Sequence, residues 1–273
     1  MGGDILAIKL VLSDIDGTLI NDEGAIPAAN RTAIRAFVAG GGQFCLASAR
    51  PPRAMTALAQ SLGLTVPLVS LNGALITTVT PQGTFTILHD QPLPAGAAAQ
   101  ITGLVTSKHL PISVNYMAGL DWIVAENDAW VRQEVAITGF APTSFNAASL
   151  LLTKKPVHKL LCMGAPAAIN QLEAAITASG LSVAVSRSKP TYLEITHPQV
   201  SKAAALAFLT AHFGLDQAAT MAIGDGDNDQ PMLKAAGVGI AMGNGLPGAL
   251  AAADHVVADN NHAGVAEALT RFA

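Results

Sequence analysis

Twice in this sequence a short apolar run ends directly in acidic residues, near opposite ends of the chain. Ile8-Lys9-Leu10-Val11-Leu12 runs into Ser13-Asp14-Ile15-Asp16-Gly17-Thr18-Leu19, and Thr220-Met221-Ala222-Ile223 runs into Gly224-Asp225-Gly226-Asp227-Asn228-Asp229. Apolar runs of this length, bounded by glycine and acid, are the pattern of strands buried on both faces of a parallel sheet. Side chains alternate along a strand, so Asp14 and Asp16 start on the same side. The functional crevice of such a sheet lies beyond the carboxyl ends of its strands, where both acidic clusters fall. The fold therefore has to bring two groups of carboxylates to one sheet edge.

The remaining segments supply that sheet. Residues 28–40 have helical periodicity through Ala29, Ala33, Ile34, Phe37 and Val38 and stop at three glycines. Residues 43–47 read as a strand ending at Ser48, residues 53–62 as a helix closed by Gly63, and residues 68–71 as a further strand. Residues 77–80 and 84–87 flank Pro81-Gln82-Gly83 as a hairpin. Toward the C-terminus the βα rhythm returns, with helices at 201–213, 229–236 and 264–272 and strands at 220–224, 239–242 and 255–257. Between the two halves the pattern changes. Helices at 95–108 and 165–179 alternate with strands at 112–116, 122–125, 157–163 and 183–186. The expectation is an α/β core, residues 1–88 and 191–273, interrupted by an inserted α+β module at 89–190.

Composition narrows the function classes. Hydrophobic residues make up 51% of the 273 and charged residues 12%, which suits a sizeable core and excludes a disordered charged tail. Residues 54–88 contain no Asp, Glu, Lys or Arg, but Pro67, Asn72, Gly73, Pro81 and Gly83 interrupt them. A bilayer-spanning helix needs roughly 20 consecutive apolar residues, so no membrane span is expected. The N-terminal stretch has no basic leader, and Leu6 stands where a myristoylation signal after Gly2 needs Ser or Thr. Cys45 and Cys162 are too few for a disulfide framework. A cytoplasmic location is expected. The net charge of −4, without a Lys/Arg cluster, offers no footprint for nucleic acid. Any phosphate binding must be local, built from a few residues and a cation.

The acidic clusters are the chemistry-bearing features. Side by side they would repel strongly without a cation, and hard carboxylate oxygens point to Mg2+. Ser48, at a strand end, can donate to a phosphoryl oxygen, and Lys202, at a helix start, can neutralise phosphate charge. Taken singly, each has a plain structural reading: an Asp at a strand end is often a turn or cap residue, and a lone Ser or Lys is usually solvated. Calcium loops are excluded, since Gln230 and Ala236 replace the Gly and Glu that a loop from Asp225 requires, and Leu19 replaces the Gly of one from Asp14. The seven histidines show no metal-ligand spacing, and Walker-type and GxGxxG loops are absent. Trp122, Trp130 and Tyr116 read as core residues of the inserted module.

Taken together and in order, Asp14-Ile15-Asp16-Gly17-Thr18-Leu19, Ser48, Lys202 and Gly224-Asp225-Gly226-Asp227-Asn228-Asp229 resemble the four motifs of the haloacid dehalogenase (HAD) superfamily. Leu71-Asn72-Gly73-Ala74, Leu193-Glu194-Ile195 and Ala241-Met242-Gly243-Asn244 resemble its Cof-type sugar-phosphatase branch. The resemblance implies a Rossmann-like core carrying an α+β cap between the second and third motifs. One departure is Ala49, where many members have Gly; it adds a methyl group beside Ser48.

The resemblance also implies roles. Asp14 would be the nucleophile and Asp16 the general acid and base. Mg2+ would be held by the Asp14 carboxylate, the Asp16 carbonyl and Asp225, with Asp229 orienting its water shell. Ser48, Lys202, Asn228 and Arg50 would bind the phosphoryl oxygens. Dehalogenases of the superfamily lack the second aspartate and ion-pumping ATPases carry Lys there, so Asp16 favours a phosphatase acting on a small phosphorylated metabolite. A phosphomutase is the alternative, followed by a regulator that binds phosphate esters without turning them over. Arg187 and Lys189 sit where the inserted module returns to the core, and solvated side chains are the plainer reading of both.

Overall fold

A computed structural model of the chain describes residues 7–153 and 155–273. The N-terminal residues 1–6, which carry the Gly2 and Leu6 readings, lie outside the described residues. In chain order the elements are β1 (Leu10–Asp14), α1 (Ala28–Ala39), β2 (Gln43–Ala47), α2 (Thr56–Leu62), β3 (Val66–Ser70), β4 (Leu75–Val79) and β5 (Phe85–Asp90). There follow α3 (Ala97–Ser107), β6 (Ile112–Ala118), β7 (Asp121–Ile123), α4 (Ala129–Thr138), α5 (Ala147–Thr153), β8 (Lys159–Gly164), α6 (Pro166–Ser179), β9 (Ala184–Lys189) and β10 (Tyr192–Thr196). Last come α7 (Lys202–His212), β11 (Thr220–Gly224), α8 (Gln230–Ala235), β12 (Val238–Ala241), α9 (Pro247–Ala252), β13 (His255–Val256) and α10 (Gly264–Phe272). None of the described helices is long and apolar enough to cross a membrane.

The chain divides into two compact units. One comprises the chain up to Ala49, Met55–Leu88 and Ser201–Ala273; the other comprises Arg50–Ala54 and His89–Val200.

The first unit is built on an eight-stranded sheet of order β13-β12-β11-β1-β2-β3-β4-β5. Strands β13 through β3 run parallel, and β4 returns antiparallel. Strand order reverses at β1: β2 and β3 build outward on one side, β11 and β12 on the other. The β1/β11 seam is thus a topological switch point, where loops diverge and leave a crevice. Leu10 and Leu12 of β1 face a layer with Ala205, Leu206 and Leu209 of α7 and Met232 and Leu233 of α8. Val11 faces the opposite layer, with Ile34 of α1 and Val265, Ala268 and Leu269 of α10. A fully buried leucine such as Leu206 or Leu209 contributes about 2 kcal/mol, so α7 is fixed firmly on the sheet. With period two, Asp14 falls on the same face as Leu10 and Leu12, the face that α7 covers.

The second unit is an antiparallel five-stranded sheet, β7-β6-β8-β10-β9. Ile101 and Val105 of α3 and Ile169, Leu172 and Ile176 of α6 pack against its Tyr116, Leu160, Cys162, Leu193 and Ile195. Trp122 is buried and donates through Nε1 to Asn115 Oδ1 at 2.9 Å.

The end of the insertion has to be corrected. Residues 191–200 belong to the second unit, not to the core. β10 pairs with β8 and β9, and its Glu194 meets the β8 residue Lys159 at 3.0 Å in a buried ion pair. Pro190 and Thr191 form the turn of the β9–β10 hairpin, so the proline marks a reversal inside the unit and not the exit from it. The helix expected at 53–62 also starts later: Pro52–Met55 is a 3-10 turn, with Ala54 N–H donating to the Pro51 carbonyl at 3.0 Å, and α2 begins at Thr56. Helices α4, α5 and α9 are additions to the predicted set.

Candidate active site

The register of the sheet assembles the site. Asp14 pairs with Ala47, so Ser48 is the next residue on the neighbouring strand. Ser13 pairs with Ile223, which sets Gly224 beside Asp14 and Asp225 just beyond it. Asp14, Ser48 and Asp225 therefore leave the carboxyl ends of β1, β2 and β11 in adjacent positions.

After Asp14 the chain turns on the Ile15 carbonyl, which accepts from the N–H groups of Leu19 (3.0 Å) and Ile20 (3.1 Å). Ile15 and Leu19 are fully buried and pin this turn, while Asp16 is exposed at its apex. Gly17 has φ +80°, and a Cβ there would lie 2.4 Å from Asp225 Oδ2. Two demands, a left-handed backbone and close approach of the second acidic loop, leave room only for glycine. Thr18 Oγ1 donates to Asp225 Oδ1 at 2.6 Å, joining the two loops directly.

The second loop is organised by Asp229. Its Oδ2 accepts from the backbone N–H groups of Asp225 (3.0 Å) and Gly226 (2.9 Å). Its Oδ1 accepts from Lys202 Nζ at 2.6 Å. A Cβ on Gly224 would come within 2.6 Å of the Asp229 side chain, so glycine is required for this fold-back. Asn228 is exposed, its Oδ1 lying over Gly226.

Lys202 is the first residue of α7, whose N-cap Ser201 accepts from Ala204 N–H at 3.0 Å. Its ammonium is buried and bonds both Asp14 and Asp229. Burial opposes that charge, but the Asp14 and Asp229 carboxylates outweigh it and hold the Lys202 pKa above the usual lysine range. Burial pushes the Asp14 carboxyl up to about 7; Lys202 pulls it down, and Asp229 and Asp225 push it further up. Asp225 is likewise raised, chiefly by burial, with the Thr18 hydrogen bond acting the other way and Asp229 and Asp16 adding repulsion.

Carboxylate oxygens of Asp14, Asp225 and Asp229 all lie within 4.8 Å of one another. Against one ammonium, three ionised carboxylates leave two negative charges, and their mutual repulsion adds to the burial that raises Asp14 and Asp225. A hard divalent cation of the Mg2+ type fits such a donor set.

Of the residues predicted from sequence, Asp14, Lys202, Asp225 and Asp229 come together in direct contact. Asp16, Ser48 and Asn228 occupy loops at the same sheet edge. Arg50 falls in the second compact unit. Sequence reasoning assigned no role to Thr18, or to Asn244, whose Nδ2 donates to the Gly17 carbonyl at 2.8 Å and whose Oδ1 accepts from Asn260 N–H at 3.1 Å. Both residues lay within recognised motif strings, but their partners are distant in sequence.

The profile of the haloacid dehalogenase-like hydrolases matches residues 11–269. A putative phosphatase of Haemophilus influenzae is 29% identical over 259 residues, covering 94% of this chain and 95% of that protein. The Bacillus subtilis 5-amino-6-(5-phospho-D-ribitylamino)uracil phosphatase YcsE is 29% identical over 268 residues, covering 97% and 96%. Among solved structures, a haloacid dehalogenase-like hydrolase from Bacteroides thetaiotaomicron superposes with a TM-score of 0.82 at 29% identity, over 97% of this chain and 99% of that one.

Proposed function

The chain belongs to the haloacid dehalogenase-like hydrolases and is a phosphatase acting on phosphate monoesters, and on that premise we propose that it hydrolyses a small phosphorylated metabolite, sugar phosphates foremost, through a phosphoryl group carried on Asp14. One observation carries the reading. Asp14 is a buried carboxylate at the switch point of the sheet, bonded to Lys202 and crowded by Asp225 and Asp229.

Asp14, Asp225 and the Asp16 carbonyl would hold Mg2+, with Asp229 fixing the loop around it. When bound, the ion supplies positive charge to the carboxylates and the phosphoryl oxygens. An Asp14 oxygen attacks phosphorus in line, forming an O–P bond as the bond to the ester oxygen breaks. Asp16, exposed at the apex of its turn, protonates the departing oxygen. In the second half Asp16 takes a proton from water, whose oxygen attacks phosphorus and releases inorganic phosphate from Asp14. A lysine ammonium has three N–H donors. Two of those on Lys202 are used by Asp14 and Asp229, leaving the third for a phosphoryl oxygen. Ser48 and Asn228 complete the phosphoryl contacts in this reading.

The test is phosphate release from p-nitrophenyl phosphate and a panel of sugar phosphates, in Mg2+ and in EDTA, beside Asp14→Asn. Mg2+-dependent turnover that the variant abolishes is the expected result. Turnover retained by Asp14→Asn overturns the assignment of the nucleophile, and no release from any ester overturns hydrolysis.

A further inference from the structure

Directly after β3, three successive residues have left-handed backbones: Leu71 (φ +54°), Asn72 (φ +60°) and Gly73 (φ +109°). For residues other than glycine each such conformation costs roughly 1–3 kcal/mol, and it persists only where the surroundings fix it. Here both sides of the turn are held. Asn72 N–H donates to the Ser48 carbonyl at 3.0 Å, while Ser48 N–H donates to the Val69 carbonyl at 2.9 Å. The backbone of Ser48 is thereby clamped on both sides by β3 and the turn. On the other side, a Cβ at Gly73 would lie 2.8 Å from the Ser201 carbonyl oxygen and 3.3 Å from Ala205 Cβ. That carbonyl accepts from Ala205 N–H at 3.0 Å in the first turn of α7, and Lys202 is the next residue. Asn72 Oδ1 is buried with no hydrogen-bond partner among the described residues. No bond from that oxygen explains the choice of asparagine, whereas tolerance of positive φ does.

We propose that the Leu71–Asn72–Gly73 turn is a strut that sets the spacing between Ser48 and Lys202, making Asn72 and Gly73 positioning residues for the phosphoryl group. The inference rests on the phosphatase reading above, in which Ser48 and Lys202 bind that group. The strut acts through backbone geometry: one N–H fixes the Ser48 carbonyl, and the missing Cβ lets the helix start approach. Shifting either contact by a few tenths of an ångström separates two donors that must converge on one phosphate.

The test measures binding of inorganic phosphate by calorimetry in the presence of Mg2+, together with kcat and KM for p-nitrophenyl phosphate. Gly73→Ala is compared with Gly83→Ala. Gly83 has φ +84°, but a Cβ there would meet only side-chain ends, Gln60 Nε2 at 3.4 Å and Thr56 Cγ2 at 3.9 Å. Both variants carry left-handed strain and lose melting temperature. Gly73→Ala alone is expected to weaken phosphate binding, by roughly tenfold, with a matching rise in KM. Asn72→Ala and Asn72→Gly both remove the carboxamide, but only Ala resists a positive φ. Asn72→Ala is expected to weaken phosphate binding roughly tenfold, and Asn72→Gly to stay within about threefold of the parent protein. Equal losses in the two Asn72 variants, or unchanged phosphate binding in Gly73→Ala, overturn the strut. Should Gly73→Ala not fold, the Asn72 pair decides. Phosphate binding needs no turnover, so a protein that binds phosphate yet hydrolyses no ester fails the phosphatase reading while still testing the strut.

Discussion

Lys202 Nζ lies 2.6 Å from Asp229 Oδ1 in an ion pair from which solvent is excluded, the side chains being 1% and 0% exposed. The other Asp229 oxygen is committed to two backbone N–H groups, so the carboxylate cannot move and Lys202 is anchored to it. The second bond of the ammonium, to Asp14, therefore aims a fixed charge at the proposed nucleophile. Removing one partner of a buried pair leaves an uncompensated charge, at a cost of about 3–5 kcal/mol. Lys202→Met should lose stability on that order in EDTA at pH 8, and less at pH 5, where Asp14 takes up a proton. Urea unfolding at the two pH values checks this. A loss no larger at pH 8 than at pH 5 would contradict the shared role of the ammonium.

Asp14 itself stands against stability. Its carboxyl is raised from 3.8 to about 7, so between those values the folded protein holds a proton that the unfolded chain has released. Stability contributed by this group is complete below pH 4 and falls as pH rises toward 7. Asp14→Asn deletes that loss. In EDTA the variant should match the parent protein near pH 4 and exceed its stability at pH 8 by a few kcal/mol at most, while losing turnover. Thermal melts across this range would settle it: a variant less stable at pH 8 shows that the Lys202 bond outweighs burial.

The same carboxyl couples metal binding to protons. A carboxylate ligand must be deprotonated, so a cation held by Asp14 displaces the proton. Mg2+ titration at pH 6, in buffers of differing ionisation heat, should release protons, and markedly fewer at pH 8.5, above the raised Asp14 value. Proton release unchanged between pH 6 and pH 8.5 would mean that the ion is held without Asp14.

Much of the core is legible in sequence because its signals are local. β2, β11 and α10 have the bounds read from sequence, since apolar runs and flanking glycines mark their ends. The acidic clusters are legible for the same reason: each follows a strand whose direction is set by burial. The exit of the inserted unit is not, because Pro190 signals a break without saying whether the chain leaves the unit or reverses within it. α4 carried readable marks, Asp128 capping Val131 N–H at 2.8 Å and Gly139 at φ +66°, but its apolar stripe is thin, with Val131 alone buried. The roles of Thr18 and Asn244 are beyond local reading. Thr18 meets Asp225 across 207 residues of sequence, and only the register of β1 against β11 brings the two together.

That distant bond leads to the sharpest test of how the metal would be held. Thr18 is fully buried, and its hydroxyl donates to Asp225 Oδ1 at 2.6 Å, lowering a carboxyl that burial and the Asp229 charge raise. Thr18→Val keeps the shape and removes the donor, so Asp225 is both less oriented and harder to ionise. Loss of such an outer hydrogen bond typically costs 10–100-fold in metal affinity, against only about 1 kcal/mol of stability. The Mg2+ concentration for half-maximal activity should therefore rise about tenfold or more, while kcat at saturating Mg2+ stays near that of the parent protein. Thr18→Ser, which retains the hydroxyl, should restore the original Mg2+ dependence despite losing a buried methyl group. A Thr18→Val enzyme with an unchanged Mg2+ midpoint would contradict the Thr18 bond as a support of Asp225 in the ligand set.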